Sequence, residues 1–288
     1  MRTISPDQLP VNAGGSIFHL HLTPEQVADK VVMMGDPERV PMVASYFDSI
    51  EFDLQNREFR TITGNYKGKR ITALSHGIGC DNIDIVLTEL DALANIDLQQ
   101  REVKPDFRPL TLVRIGTCGG LQPFTPIGSY VASEISMGMD GLLFFYEGGE
   151  AVNNFELTEK FVRHTQWNPL LADPYFVSSD KELLETIGFD MVKGITISAS
   201  GFYGPQGRHV RLRLNSPEQN AHLESFDYRG LKICNYEMES AALAGLAALM
   251  GHKALTICLV VAGRYSGDMN TDYKGSFDEL IRKVLDRI

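Results

Sequence analysis

The sequence predicts a single α/β domain built around a central, largely buried sheet. Stretches with strand character alternate with helical stretches along the chain, and glycine turns follow several predicted strands. No internal repeat, low-complexity tract or linker divides residues 1–288. We therefore expect one domain over residues 1–288, with the Pro-, Asn- and Gly-rich residues 1–15 forming a loosely held N-terminal segment.

Hydrophobic periodicity and turn residues predict the elements in chain order. Strands are predicted at residues 30–35, 60–66, 70–75, 111–120, 128–136, 193–200, 231–234 and 254–262. Helices are predicted at residues 37–47, 83–95, 161–167 and 181–187, in the Ala/Leu run that stops at Gly251, and at residues 277–288. Pro37 suits a first helical turn, and Gly68 suits the turn of a hairpin. The aromatic-rich residues 138–150 carry no clear pattern.

Composition argues against several classes of function. The 288-residue, 32.0 kDa chain has a formal charge of -10 and a pI of about 5.2, so a nucleic-acid partner is not expected. No run approaches the roughly 20 apolar residues of a membrane span, and the N-terminus lacks an apolar signal region. The four cysteines have no metal-ligand spacing, which indicates reduced thiols and no metal site. We expect a soluble, cytoplasmic protein.

Two stretches have the character of an anion site. Residues 30–39 read as a buried strand, then Gly35, then a helix start that ends in Arg39, and helix N-termini bind anions. Arg114 stands in the middle of an otherwise apolar strand that runs into Gly116 and Thr117. A buried arginine needs a partner. Two readings are open for Arg114: a structural ion pair with a carboxylate, or an oxyanion site at the strand end.

Two carboxylates flank Met238 at the mouth of a helix that has no other charge. Glu237 and Glu239 follow a short strand and precede the apolar Ala/Leu run. A glutamate in a first turn can simply complement the helix dipole. Burying two carboxylates is energetically costly, so the pair favours a ligand site. For either glutamate alone, interaction with the helix dipole stays an open alternative.

The turn-rich loop at residues 201–208 combines an aromatic ring, an amide and a guanidinium. Gln206 and Arg208 lie two residues apart and near Phe202, so they can bind a flat heterocycle by hydrogen bonding and stacking. An ordinary surface loop is an equally acceptable reading of this segment alone. If the strand ends converge, one pocket holds an anion, a sugar and a base, which together describe a nucleoside and phosphate.

The motifs also carry a resemblance to a known family. The chain resembles the nucleoside phosphorylase-I family at residues 34–39 (MGDPER), 57–59 (REF), 77–79 (GIG), 112–119 (LVRIGTCG), 202–208 (FYGPQGR) and 235–240 (NYEMES). The similarity runs in one order from about residue 19 to 264. It implies a three-layer α/β/α sandwich whose twisted mixed sheet curls toward a barrel. It also implies a homo-oligomer, a dimer or a trimer of dimers, in which two subunits complete each site.

The same resemblance implies a role for each matching residue. Phosphate would be bound by Gly35, Arg39, Arg114 and Thr117, with Arg57 lent by a neighbouring subunit. The ribose would lie against Met238 and Glu239, with the neighbour's His19 near its 5′-hydroxyl. The base would stack on Phe202 and be bound by Gln206 and Arg208. The implied catalytic set is Arg208, Gln206, Glu239 and Arg114, and the implied reaction is phosphorolysis of uridine in pyrimidine salvage.

Departures from the family pattern bear on substrate and cofactor. The Gln206 and Arg208 pair favours a pyrimidine, whereas purine relatives place an Asp after the last strand, near the position of Asp268. Some relatives hold a monovalent cation between subunits with equivalents of Glu58 and a serine. Asn82 replaces that serine and argues against the cation. We therefore expect no cofactor, and phosphate is expected as a co-substrate.

Three alternatives stay open from the sequence: a purine nucleoside phosphorylase, a nucleosidase that uses water, and a non-catalytic nucleoside-binding protein. The arginines Arg39, Arg57 and Arg114 disfavour water as the nucleophile, and a complete phosphate site disfavours a simple binder. Residues 264–272, rich in small polar residues, are a candidate lid.

Overall fold

The computed structural model describes residues 3–288. The strands are β1 (Lys30–Met34), β2 (Ser49–Asn56), β3 (Phe59–Tyr66), β4 (Lys69–Ser75), β5 (Ile96–Asp97), β6 (Glu102–Val103), β7 (Thr111–Gly120), β8 (Tyr130–Gly138), β9 (Tyr175–Ser178), β10 (Val192–Ser198), β11 (Asp227–Tyr228), β12 (Leu231–Glu237) and β13 (Lys253–Gly263). The α-helices are α1 (Val40–Ala44), α2 (Cys80–Asn95), α3 (Gly149–Val152), α4 (Phe155–Thr165), α5 (Lys181–Thr186), α6 (Gln219–Ser225), α7 (Ser240–Met250) and α8 (Lys274–Arg287). Short 3-10 turns cover Pro24–Gln26, Pro37–Arg39, Leu142–Phe145 and Gly204–Gln206.

Most strands join one mixed sheet in the order β11-β12-β10-β8-β13-β7-β1-β4-β3-β2, with β9 paired to β8. The pairs β1 with β4, β1 with β7 and β13 with β7 are parallel, as are β10 with β8 and β10 with β12. Strand β12 also pairs antiparallel with β7, which closes β7, β13, β8, β10 and β12 into a ring. The predicted twisted mixed sheet that curls toward a barrel is therefore present.

Helices cover both faces of this sheet. In β1, Val32 and Met34 pack into a core with α1 and α8, whereas Val31 and Met33 pack into a second core with α2 and α7. Because successive strand side chains point to opposite faces, the two cores lie on opposite sides of β1. The predicted three-layer α/β/α class is confirmed.

Most predicted elements are present with bounds shifted by a few residues, but seven strands and helices were not predicted: β2, β5, β6, β9, β11, α3 and α6. Strand β2 carries polar residues and is mostly exposed, β9 is only four residues long, and α6 is short and polar. Helix α4 begins earlier than predicted because the side chain of Asn154 caps it by accepting a hydrogen bond from the Leu157 amide. Residues 138–150 form two short helical turns that follow Gly141 and Gly148, both in the left-handed region.

Residues 3–15, expected to be loosely held, contact the neighbouring 96–103 hairpin. Arg101 donates hydrogen bonds to the carbonyls of Ile4 and Ser5, and Leu9 is buried. Within residues 3–288, none of the helices is both long enough and apolar enough to span a lipid bilayer.

Candidate active site

A cleft of about 670 Å³ opens where six strands end. Its walls come from residues at or beyond the carboxyl ends of β1, β4, β7, β10, β12 and β13. Ligands of open α/β sheets bind at such strand ends, and the volume suits a small molecule. The lining includes these predicted site residues: Gly35, Arg39, Arg114, Thr117, Phe202, Gln206, Arg208, Met238 and Glu239.

The Arg114 guanidinium is the buried centre of the cleft. Its Nη1 lies 2.9 Å from Glu237 Oε2, and its Nη2 donates to the Glu239 carboxylate. Burial alone would lower the pKa of Arg114, but Glu239 and Glu237 raise it, so the guanidinium stays charged. The ion-pair reading of Arg114 is confirmed, and the oxyanion reading stays a prediction for a residue that also lines the cleft.

Most of the hydrogen-bond donors of Arg114 have protein partners. The guanidinium has five N–H donors. It donates to His76 Nε2 at 3.2 Å, to the Cys258 sulfur at 3.7 Å and to Glu239, and its Nη1 also lies 2.9 Å from Glu237 Oε2. Among residues 3–288, one N–H on Nη2 is left over, and Thr117 lines the same cleft.

Glu237 and Glu239 accept hydrogen bonds from different groups. Glu237 accepts hydrogen bonds from the Ser198 hydroxyl at 2.6 Å, the Ser240 hydroxyl at 2.7 Å and the Ser240 amide at 3.0 Å, and so caps helix α7. Glu239 accepts from the Gly79 amide at 2.7 Å. Burial raises the pKa of Glu239; Arg114 opposes that rise and Glu237 adds to it. The helix-capping reading thus applies to Glu237, and both carboxylates line the cleft.

The predicted anion-binding end of the cleft is formed by the turn after β1. A Cβ at Gly35 would stand 3.1 Å from the Gly77 carbonyl oxygen, so a larger residue there would require one of the two turns to shift by a few tenths of an ångström. Arg39 lies 4.6 Å above the Phe277 ring and donates to the Tyr273 hydroxyl at 3.1 Å. These contacts from the segment around the start of α8 hold the Arg39 guanidinium at the cleft edge.

The predicted base-binding residues form a connected group. Arg208 stacks 3.7 Å from the centroid of the Phe202 ring, and its Nη1 donates to Gln206 Oε1 at 2.5 Å and to the Phe202 carbonyl at 2.6 Å. The guanidinium therefore covers one face of the ring. Burial, together with Arg264, lowers the pKa of Arg208 to about 10, so it is charged at neutral pH.

Two cleft-side residues were not assigned a site role from the sequence. Arg264 donates to the Gln206 carbonyl at 2.7 Å and so holds the base-binding loop against the end of β13. His76 is fully buried and accepts from Arg114. The sequence signal that could have identified them is their position at a strand end, since His76 directly follows β4 and Arg264 directly follows β13.

His19 and Arg57, predicted to come from a neighbouring subunit, do not line the cleft of their own chain. His19 Nδ1 lies 2.6 Å from Glu89 Oε1. Arg57, exposed and with a φ of 54°, lies 6.0 Å from the centroid of the Phe18 ring. Phe18 is itself 39% exposed and contacts the His19 ring edge-on. The two residues thus share one surface.

Glu58 and Asn82, the positions tied to the cation question, flank Gly77. A Cβ on Gly77 would stand 2.4 Å from Asn82 Nδ2 and 2.9 Å from Glu58 Cγ. Asn82 Nδ2 donates to the Ile78 carbonyl at 3.2 Å. Across residues 3–288, no group of three or more His, Cys, Asp or Glu side chains is placed to hold a metal ion.

The family model of the phosphorylase superfamily matches residues 29–287, and the chain belongs to that superfamily. The resemblance to nucleoside phosphorylases seen in the motifs is thereby confirmed. Two similar proteins are uridine phosphorylases. The one from Thermococcus kodakarensis is 30% identical, and the alignment covers 90% of this chain and 82% of the relative. The one from Escherichia coli is 29% identical, and the alignment covers 86% of each chain. A solved Trypanosoma brucei nucleoside phosphorylase, described as showing uridine phosphorylase activity, has a TM-score of 0.89 at 28% identity, covering 97% of this chain and 98% of that one.

Proposed function

We propose that this chain is a uridine phosphorylase, a pentosyltransferase that converts uridine and phosphate reversibly to uracil and ribose 1-phosphate in nucleoside salvage. The observation that carries the proposal is the contact between Arg114 and Glu239. It joins an anion site to a carboxylate suited to ribose hydroxyls, in the cleft that also holds Gln206 and Arg208. The curated relatives named uridine phosphorylase support the same substrate pair.

We assign phosphate to the turn after β1 and the end of β7. Gly35 and Thr117 would donate to phosphate oxygens, while Arg39 and Arg114 would balance its charge, with Arg57 from a second copy of the chain. The arginines would fix and orient the nucleophilic oxygen beneath C1′ of the ribose. Catalysis would gain from this proximity rather than from proton transfer to a protein nucleophile.

We assign the nucleoside to the other half of the cleft. Glu239 would accept hydrogen bonds from the ribose hydroxyls, Met238 would pack against the sugar, and His19 of a second copy would reach the 5′-hydroxyl. A phosphate oxygen would bond to C1′ as the glycosidic bond breaks, and uracil would leave with the bonding electrons. Gln206 and Arg208 would stabilise the negative charge that develops on the uracil oxygens, more in the transition state than in the ground state.

The position of Asp268 disfavours a purine substrate. Asp268, the candidate equivalent of a purine-specific acid, is exposed and does not line the cleft. The amide and guanidinium of Gln206 and Arg208 instead match the carbonyl oxygens and ring N–H of a pyrimidine. We expect no cofactor besides phosphate, the co-substrate.

A substrate panel tests the proposal. Purified protein is incubated with uridine, 2′-deoxyuridine, thymidine or inosine, with and without phosphate, and release of free base is followed by absorbance. We expect phosphate-dependent release of uracil from uridine. Release of uracil without phosphate would indicate a nucleosidase. Release of base from inosine but from none of the pyrimidine nucleosides would indicate a purine enzyme. Binding of nucleoside without release of base would indicate a sensor.

We also propose that the working unit is a homo-oligomer, a dimer or a trimer of dimers, because each site needs His19 and Arg57 from a second copy. The free thiols of Cys80, Cys118, Cys234 and Cys258 support a reducing compartment, which we take to be the cytoplasm.

A further inference from the structure

His76 lies beside Arg114 across the intervening strand β1. It follows β4 directly, and its amide donates to the Met34 carbonyl at 2.8 Å, which extends the β4 pairing with β1. On the other edge of β1, Met33 is the register partner of Arg114. The His76 ring reaches past the end of β1, and Arg114 Nε donates to His76 Nε2 at 3.2 Å.

This hydrogen bond fixes the form of the imidazole. Because Nε2 accepts from Arg114, the ring proton must lie on Nδ1. Burial, together with the Arg114 charge, lowers the pKa of His76 well below its usual value, so the ring is neutral. Within residues 3–288, Nδ1 is buried and makes no hydrogen bond of good geometry, although the Gly77 backbone lies close enough to oppose this lowering of the pKa.

A filler role does not account for this arrangement. A buried N–H without a partner is costly, and an apolar side chain of similar size would avoid the cost. What histidine adds is an acceptor at the Nε edge of the guanidinium. The guanidinium also lies close to Gly116, where a Cβ would stand 2.8 Å from Arg114 Nη1.

We infer that His76 is a positioning residue, which holds the Arg114 guanidinium by its Nε edge so that the Nη groups face Glu239 and the phosphate. The inference rests on the proposed function, because it concerns the phosphate site of that reaction. His76 itself touches no substrate. Without the acceptor, the guanidinium can pivot about its ion pairs with Glu237 and Glu239.

Two amide variants separate positioning from packing. In His76→Gln the side-chain oxygen lies as far along the chain as Nε2, whereas in His76→Asn it lies only as far as Nδ1. Both are polar and uncharged, so a role in polarity alone would affect them similarly, and His76→Met controls for packing because it fills the space without an amide acceptor. His76→Met, which has similar length but no amide acceptor, serves as a second test if the Asn variant does not fold.

The readouts are the Kd for inorganic phosphate by titration calorimetry, and the KM values for phosphate and for uridine. We expect His76→Gln to stay within about threefold of wild type for phosphate, and His76→Asn and His76→Met to weaken phosphate roughly 10- to 100-fold. The uridine KM should stay within about threefold throughout, because Glu239 keeps its bond from the Gly79 amide.

Equal phosphate Kd values for the Gln and Asn variants would overturn the inference, as would a wild-type protein that does not bind phosphate. A wild-type protein that binds phosphate but leaves uridine intact would contradict the proposed function instead. In that case the ranking of phosphate Kd values among the variants still decides the role of His76.

Discussion

The Arg114 side chain occupies space that only a glycine at position 116 leaves open. A Cβ at Gly116 would lie 2.8 Å from Nη1 and 3.1 Å from both Cζ and Nη2. The backbone at Gly116 is an ordinary β7 conformation, so an alanine there strains the guanidinium rather than the main chain. The position of Arg114 can therefore be perturbed without changing its charge.

We expect Gly116→Ala to lower kcat/KM for phosphate on the order of 100-fold, because a small misplacement of an orienting group is costly to catalysis. Steady-state kinetics at varied phosphate measure the effect. Gly275→Ala in α8 is the matched control, since a Cβ there meets nothing within 4 Å, and its kinetics should equal wild type. Unchanged phosphate kinetics in Gly116→Ala would show that the guanidinium position is not critical.

Arg208 is the charge that the proposed mechanism assigns to the leaving group. We expect Arg208→Ala to lower kcat on the order of a hundredfold, the typical loss for one preorganised donor to a developing oxyanion. Arg208→Lys, which keeps the charge but loses the planar fork, should recover only part of the rate. A purified alanine variant that turns over uridine at nearly the normal rate would remove Arg208 from the mechanism.

At the scale of elements, helix α8 supports the proposed phosphate end of the cleft through Phe277, which lies under Arg39. Its last turn is tied down by a two-point ion pair between Arg287 and Asp190, with N–O distances of 2.6 and 2.9 Å. This hydrogen-bonded arginine lowers the pKa of Asp190 from 3.8 to about 2. The pair thus links the C-terminal helix to the turn before β10.

We expect Asp190→Asn to lower the free energy of unfolding by about 1 kcal/mol at pH 7, since solvent screens this exposed pair. The pKa of Asp190 is depressed in the folded protein, so its contribution is complete above pH 3.8 and is lost as the pH falls toward 2. Denaturant unfolding of wild type and Asp190→Asn at pH 7 and at pH 2 measures this difference in stability. Glu185→Gln, which breaks an exposed pair with Lys181, should change stability by less than about 0.5 kcal/mol. A deficit in Asp190→Asn that persists at pH 2 would argue against the ion pair as its cause.

Sequence patterns predicted the elements that have strong periodicity and a clear stop, such as β7, α2 and α7. A charge inside an apolar strand also identified Arg114 as a residue that needed partners. The pattern did not reveal strand β9, because four residues are too few to show a period. The pattern also did not reveal the hydrogen bond between His76 and Arg114. That bond forms because β4 and β7 lie on either side of β1, and local sequence does not determine this strand order.

At the scale of the whole molecule, nine predicted cleft residues converge within one chain, and His19 and Arg57 stand apart from them. The surface with Phe18, His19 and Arg57 carries an exposed aromatic ring, an imidazole and a guanidinium. A second copy that places this surface over the cleft would complete the phosphate and ribose sites. The single chain is then only part of the proposed catalytic unit.

Mixing two defective variants tests this sharing. Arg57→Ala and Arg208→Ala should each be severely impaired at low phosphate, because each loses a charge that serves its site. A mixed dimer pairs an intact cleft with an intact Arg57 at one of its two sites, so purified mixed dimers should recover about half of wild-type activity. The two variants are co-expressed with different tags and assayed after double purification. Sites contained within one chain would give no recovery in the mixture.

The most direct test of the central claim is the fate of the phosphate itself. Phosphorus NMR and base absorbance are recorded together while the purified protein acts on uridine and inorganic phosphate. We expect ribose 1-phosphate and uracil to appear in equal amounts, with no uracil formed when phosphate is left out. Uracil that accumulates with free ribose while inorganic phosphate stays constant would contradict the account.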